Sequence, residues 1–429
     1  MKGDIYLKGE SLSTVRKYSM IALLAFFGGC IYKVTYLREV FYDQVISVLG
    51  LTNAQLGLLS SAVGISSMIG YFFGGFLADR FSSRRLVTLS CFSGGLLTLW
   101  YMTYPSFLFL MIIHIATALS GTLIFWAAYI RIVRILGGSD GQGKYFGFSE
   151  GIRSLFGVVL PFGALAIMEM IPAERVGYRS VLLYYAICYF VSGILAHFII
   201  VDVHDEAEKQ VFKKEDYIKL FKTPGLWLVS LLIFGTYSVF ALQSYTTPYM
   251  SGVVGISSAT VGSIAIFRQY GLGLIAMPIY GIVADKMKSS VMTSIVGLIL
   301  LVGSSLAMML YPATSSPIVI MVLVLAIGFF VSGVRGVYYA TMDEANISKA
   351  LSGTAIGIIS AIGFSPDAFM FSQVGGWLDK YPAEQAYRMI FMYMAAMSTV
   401  AVAAGVTILV LAKRKKSIEK GSFIEEDIQ

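Results

Sequence analysis

Apolar residues run along this chain in blocks too long for a soluble helix. From Leu56 to Ala78 every position is apolar, small, aromatic or a hydroxyl residue. At about 1.5 Å per residue that block crosses the roughly 30 Å of bilayer hydrocarbon. It stops at Asp79, Arg80, Arg84 and Arg85, an abrupt exit into water. The same rhythm recurs, and breaks made by charge, Gly and Pro predict about twelve spans. The first six cover about 19–42, 54–78, 86–104, 107–134, 145–171 and 180–201. The second six cover about 226–251, 258–284, 289–311, 316–341, 351–377 and 387–412. The fold class is therefore an all-α polytopic membrane protein. Around and between the spans lie a leader at 1–18, a charged linker at 202–225 and a tail at 413–429.

Composition agrees. Only 13% of the 429 residues are charged while 57% are hydrophobic, and mean hydropathy is +0.76, which excludes an ordinary soluble domain. The net charge of +7 matters less than where it falls. With Met1 inside, about 23 Lys or Arg occupy the leader, inner loops and tail, against Arg175, Arg179 and Lys380 outside. The excess places both termini in the cytoplasm, at a bacterial inner (plasma) membrane. It also removes any need for a nucleic-acid partner. The leader is basic and lacks an apolar core and cleavage site, so it reads as retained rather than as a secretory signal. Cys30, Cys91 and Cys188 are odd in number and lie in apolar blocks, which argues against a structural disulfide.

The chain also repeats itself. GLTNAQLG (Gly50 to Gly57) lies on GISSATVG (Gly255 to Gly262), and GFLADR (Gly75 to Arg80) on GIVADK (Gly281 to Lys286). Gly147, Gly151 and Gly157 return as Gly353, Gly357 and Gly363, with Pro161 near Pro366. Four blocks in one order at one shift predict two homologous six-helix halves, 19–201 and 226–412.

The stretch GGFLADRFSSRR, Gly74 to Arg85, resembles the loop signature of the major facilitator superfamily, roughly G-x-L-A-D-R-x-G-R-[RK]. Gly75, Leu77, Ala78, Asp79, Arg80 and Arg84 match, and Ser82 and Ser83 depart. Gly281, Ala284 and Asp285 match in the second half. The run Arg335 to Asp367 resembles a poorly characterised bacterial subgroup, and FFGGCIYKVTYLREVF is similar to the first helix of organophosphate and organic-anion antiporters. The resemblance implies a secondary transporter whose first, fourth, seventh and tenth helices line a central cavity. It further implies that Asp79 and Arg80 tie neighbouring helices together on the cytoplasmic side, with Arg84 and Asp285 as further gating candidates.

A charge in the membrane survives only if it is paired, lines water or meets a substrate. Lys33, Arg268 and Asp367 fall near the midplane by helix rise, with Gln243 at similar depth. Lys33, flanked by Tyr32 and Tyr36, is a point charge for an anion, with hydroxyls to orient it. The plainer alternative is a neutralising pair with Asp367. Arg268 stays charged, so an anionic ligand or a carboxylate partner is expected. Arg38, followed by Glu39, suits snorkelling or a local ion pair as well as ligand contact. Tyr245 joins Gln243 as a candidate contact, and Arg335 is a candidate cavity residue. Asp367, after Pro366, is the candidate coupling carboxylate. Arg131, Glu150 and Arg153 cluster toward the cytoplasmic ends of their helices and read as a gate, whereas Arg134 and Glu344 read as interface anchors. His114 and His197 read as packing residues. No metal-ligand spacing, nucleotide-binding loop or catalytic constellation occurs, so neither cofactor nor enzyme chemistry is expected.

The leading expectation is a secondary active transporter of a small organic anion, phosphorylated or carboxylated, working by alternating access with a co-transported proton or an exchanged anion. A proton-coupled carrier of a neutral sugar, peptide or drug is the alternative, and a non-transporting receptor the third.

Overall fold

The computed structural model describes residues 7–8, 12–137, 142–204, 214–347 and 352–426. Ten of the described helices are long and apolar enough to cross a membrane. Two predicted spans fall outside that group. One is the 17-residue helix Thr14–Cys30, and the other is Ser83–Tyr101, whose second and third residues are arginines.

Serine and threonine set the helix starts. Thr52 and Gln55 form a reciprocal capping box before Asn53–Arg80. Ser82 accepts the Arg85 N–H, and Ser289 accepts the Met292 N–H, so each satisfies a donor that its own helix leaves unpaired.

The expected continuous first span at 19–42 is corrected. The α-helix ends at Cys30, irregular turns follow, and a 3₁₀ turn covers Leu37–Glu39 before a short helix Tyr42–Leu49. Ile31, Val34 and Thr35 are β-branched and Tyr32 and Tyr36 aromatic, residues that lose side-chain freedom in a helix, so local preference gives little resistance to the break. The predicted span at 351–377 is divided too, with a 3₁₀ turn at Ser365–Ala368 around Pro366. Elsewhere widened π-helical turns interrupt the helices at Ser120–Trp126, Tyr249–Val253 and Phe267–Gly271.

The chain groups into two compact units. One comprises Met1–Lys209, Ser257–Tyr270 and Asp367–Asp379; the other comprises Gln210–Ile256, Gly271–Pro366 and Lys380–Gln429. In the first unit Ser83–Tyr101 packs on Glu174–Ile199 and Thr14–Cys30 on Gln142–Met170. A two-residue parallel ladder joins Leu7–Lys8 to Val203–His204. In the second unit Ala383–Glu426 packs on Ser290–Leu310 and on Pro224–Leu242.

Candidate substrate site

The broken first helix and the π-turn of Phe267–Gly271 meet inside the first unit. A π-turn carries more residues than an α-turn, which narrows the angle between successive side chains. Here those side chains are Arg268, Gln269 and Tyr270. Glu39 accepts hydrogen bonds from Gln269 Nε2 at 3.1 Å and from Tyr270 Oη at 2.8 Å. Lys33 Nζ lies 3.0 Å from the centroid of the Tyr270 ring and donates to the Gly157 carbonyl at 3.0 Å. Tyr270 therefore presents its face to a cation and its hydroxyl to a carboxylate. Arg268 is fully buried, and the charges of Arg38, Lys33 and Arg268 all act on Glu39.

Arg38 and Glu39 do not snorkel to water. Both are buried, and the Arg38 guanidinium lies 3.7 Å from the centroid of the Phe371 ring. Sequence reasoning passed over Glu39, Gln269 and Tyr270. The available signal was two adjacent charges inside an apolar block.

Asp367 is brought to the same unit by close backbone approach. A Cβ on Gly64 would stand 2.6 Å from Asp367 Cβ, and one on Gly57 would stand 2.2 Å from the Phe371 carbonyl oxygen, so only glycine fits at either position. Tyr36 lies within electrostatic reach of Asp367 and Arg38. The Tyr32 ring packs on Gly121, where an added Cβ would be 2.9 Å from the ring.

The remaining candidates make other contacts, within the first unit or outside it. Glu150 and Arg153 form an ion pair one turn apart on a single helix, and Glu150 also accepts from Tyr129 Oη at 3.2 Å. Arg131 donates to the Ala78 carbonyl, which ties its helix to the end of Asn53–Arg80. The Arg80 guanidinium lies 3.9 Å from the Phe76 ring centroid. Arg84 donates its backbone N–H to Asp202. The Asp79 side chain lies outside the described residues, and Asp285 is exposed. Gln243 and Tyr245 are buried in the second unit. There the Arg335 guanidinium sits 3.5 Å from the Phe240 ring centroid. Glu344, expected at the interface as an anchor, accepts from Ser289 Oγ at 2.6 Å and from the Val291 N–H at 2.9 Å. His114 Nδ1 donates to the Leu110 carbonyl at 2.8 Å, within its own helix.

Comparison with known proteins agrees with this architecture. The family model for the Major Facilitator Superfamily matches residues 19–370. The chain is 30% identical over 400 residues to inner membrane protein YqcE of Escherichia coli (strain K12), covering 91% of this chain and 94% of that one. It is 28% identical over 415 residues to inner membrane protein YihN of the same organism, covering 94% and 98%. Among solved structures, a bacterial homolog of the human lysosomal transporter Spinster superimposes with a TM-score of 0.73 at 15% identity, covering 94% of this chain and 98% of that one. The nucleoside transporter NupG does so with a TM-score of 0.72 at 13% identity, covering 91% and 99%.

Proposed function

We propose, from the premise that this chain belongs to the major facilitator superfamily and is thus an integral membrane transporter rather than an enzyme, that its cargo is a small organic anion. The observation that carries this reading is the cluster of Lys33, Arg38 and Arg268, all buried in one unit. Cations at membrane depth attract negative charge, and an anionic cargo supplies it during each cycle. Tyr32 and Tyr36 add hydroxyls to this unit, and Gln243, Tyr245 and Arg335 are further candidate substrate contacts. Asp367 serves as the coupling carboxylate, exchanging a proton, or its pairing with a cation, as the anion comes and goes. Asp79, Arg80, Arg84, Asp285, Arg131, Glu150 and Arg153 act in opening and closing, and both termini face the cytoplasm.

Uptake of labelled carboxylated and phosphorylated metabolites into proteoliposomes tests the reading. The expected result is anion uptake that Arg268→Ala abolishes. Transport confined to neutral or cationic compounds, and indifferent to Arg268→Ala, overturns it. A second reading, proton-coupled carriage of a neutral solute, draws on the buried carboxylates Glu39 and Asp367. Neutral-solute uptake with internal acidification, lost in Asp367→Asn, favours that reading instead.

A further inference from the structure

Two of the cations expected outside the membrane, Arg175 and Arg179, stand one turn apart at the start of the helix Glu174–Ile199. Like charges at that spacing repel, and the N-terminal end of a helix disfavours cations further. Neither arginine forms an ion pair with a carboxylate among the described residues. Both instead approach one ring, the Arg175 guanidinium at 5.0 Å from the centroid of Tyr104 and the Arg179 guanidinium at 5.2 Å. Tyr104 lies in the turn between Ser83–Tyr101 and Phe107–Leu119, and its hydroxyl donates to the Arg175 carbonyl at 2.7 Å. On its other neighbour, buried Tyr178, the rings stand 6.2 Å apart. A ring face offsets a cation only in part, so the pair keeps an uncompensated positive charge.

The two arginines also head a ridge. Arg175, Arg179, Leu183, Ile187 and Val191 follow one another at intervals of four, the spacing that lines side chains along one helix face, and all five are exposed. Exposed apolar side chains on a membrane-spanning helix meet lipid tails. One leaflet's share of the roughly 30 Å of hydrocarbon is about ten residues of helix, so a tail that starts below Arg179 ends near Val191. We propose that this edge is a phospholipid site: Arg175 and Arg179, beside Tyr104, bind the phosphate of an anionic phospholipid, and one acyl chain lies along Leu183, Ile187 and Val191. Guanidinium forks match phosphate oxygens in geometry and in charge. A zwitterionic headgroup fits less well, because its own ammonium adds a third cation to two that already repel. A free phosphate leaves the apolar part of the ridge without a partner. The inference holds whatever the cargo is.

The test holds purified full-length protein in micelles of an uncharged detergent and titrates it with phosphatidylglycerol, with phosphatidylcholine, or with glycerophosphoglycerol, the headgroup without its acyl chains. Melting temperature is the readout, since a ligand of the folded state raises it. The expected result is a saturable rise with phosphatidylglycerol, and no rise that depends on the two arginines with either of the others. In the double variant Arg175→Gln/Arg179→Gln, the midpoint of the phosphatidylglycerol titration is expected to move up about tenfold or more. Lys380→Gln removes the other cation expected outside, which is also exposed, and is expected to leave that midpoint where it is. An equal rise with phosphatidylcholine overturns the requirement for an anionic headgroup. A rise with glycerophosphoglycerol that the double variant abolishes assigns the arginines to a free anion and overturns the lipid. A wild type that does not respond to phosphatidylglycerol, or a double variant that responds as wild type does, overturns the site. So does an equal loss in Lys380→Gln, which reduces the effect to charge attraction without a fixed place.

Discussion

Asp379 closes the start of the second long helix from a segment far along the chain. Its Oδ1 accepts the Asn53 backbone N–H at 3.0 Å and the Asn53 side-chain amide at 2.8 Å, and its Oδ2 accepts the Ala54 N–H at 2.7 Å. The Thr52–Gln55 box satisfies the N–H groups on either side. All four donors from Thr52 to Gln55 are thus paired, two of them by Asp379. Replacing a helix-capping acceptor costs about 1 kcal/mol, and losing an anion from a helix N-terminus adds about 0.3–1. Asp379 is exposed, so water recovers part of what is lost, and about 1–2 kcal/mol remains as the expected destabilisation by Asp379→Ala. Asp379→Asn keeps the shape but loses the charge and one of the two accepting oxygens, and is expected to cost nearly as much as Asp379→Ala. Thermal melting of the purified protein measures both. A double-mutant cycle with Asn53→Ala isolates the side-chain contact, because the Asn53 backbone N–H survives that substitution. Additivity within about 0.3–0.5 kcal/mol would refute the side-chain contact, and melting temperatures unchanged in both Asp379 variants would refute the capping argument.

Two further predictions rest on the same kind of geometry. At Gly57, alanine places a Cβ 2.2 Å from a backbone oxygen that has no rotamer to retreat into. The expected cost is about 1–3 kcal/mol, read as a lowered melting temperature, whereas Gly147→Ala, with nothing within 4 Å of the added atom, is expected to leave the melting temperature unchanged. Asp202→Ala and Glu344→Ala each strip a serine hydroxyl and a backbone N–H of their acceptor. Each is expected to lower stability by about 1–2 kcal/mol, the more so for buried Asp202, and equal melting of both variants and wild type would contradict this.

How much of this was legible follows from where each signal resides. Span number, polytopic class and the superfamily likeness are written in block lengths and in one local motif, and local patterns survive without tertiary knowledge. Pro366 announced its break for the same reason. The break after Cys30 carries no Gly or Pro of its own, and modest β-branched preferences over Ile31 to Tyr36 do not distinguish a broken helix from a continuous one. Placing Lys33 by helix rise therefore rested on a periodicity that the chain does not keep there. Glu39 was visible as a charge, but its partners Gln269 and Tyr270 arrive through packing across more than half the sequence, which no spacing rule reaches. Arg268 was legible as a residue needing compensation, whereas the π-turn that gathers its neighbours was not.

The two signature loops show what an internal repeat preserves. After Asp79–Arg80 comes Ser82, and after Asp285–Lys286 comes Ser289. Each serine accepts the N–H three residues on, donates its hydroxyl to a carboxylate, and stands two residues before a backbone N–H bound to that same carboxylate. The carboxylates themselves, Asp202 and Glu344, are not related by the shift of about 206 residues that relates the loops. The acceptor has therefore come from a different helix end in each unit while its chemistry has stayed the same. A helix start leaves donors and a partial positive charge that must be met, and any nearby carboxylate can meet them. What recurs is that requirement, which makes the loop motif readable by alignment and leaves its partner to be found only in three dimensions.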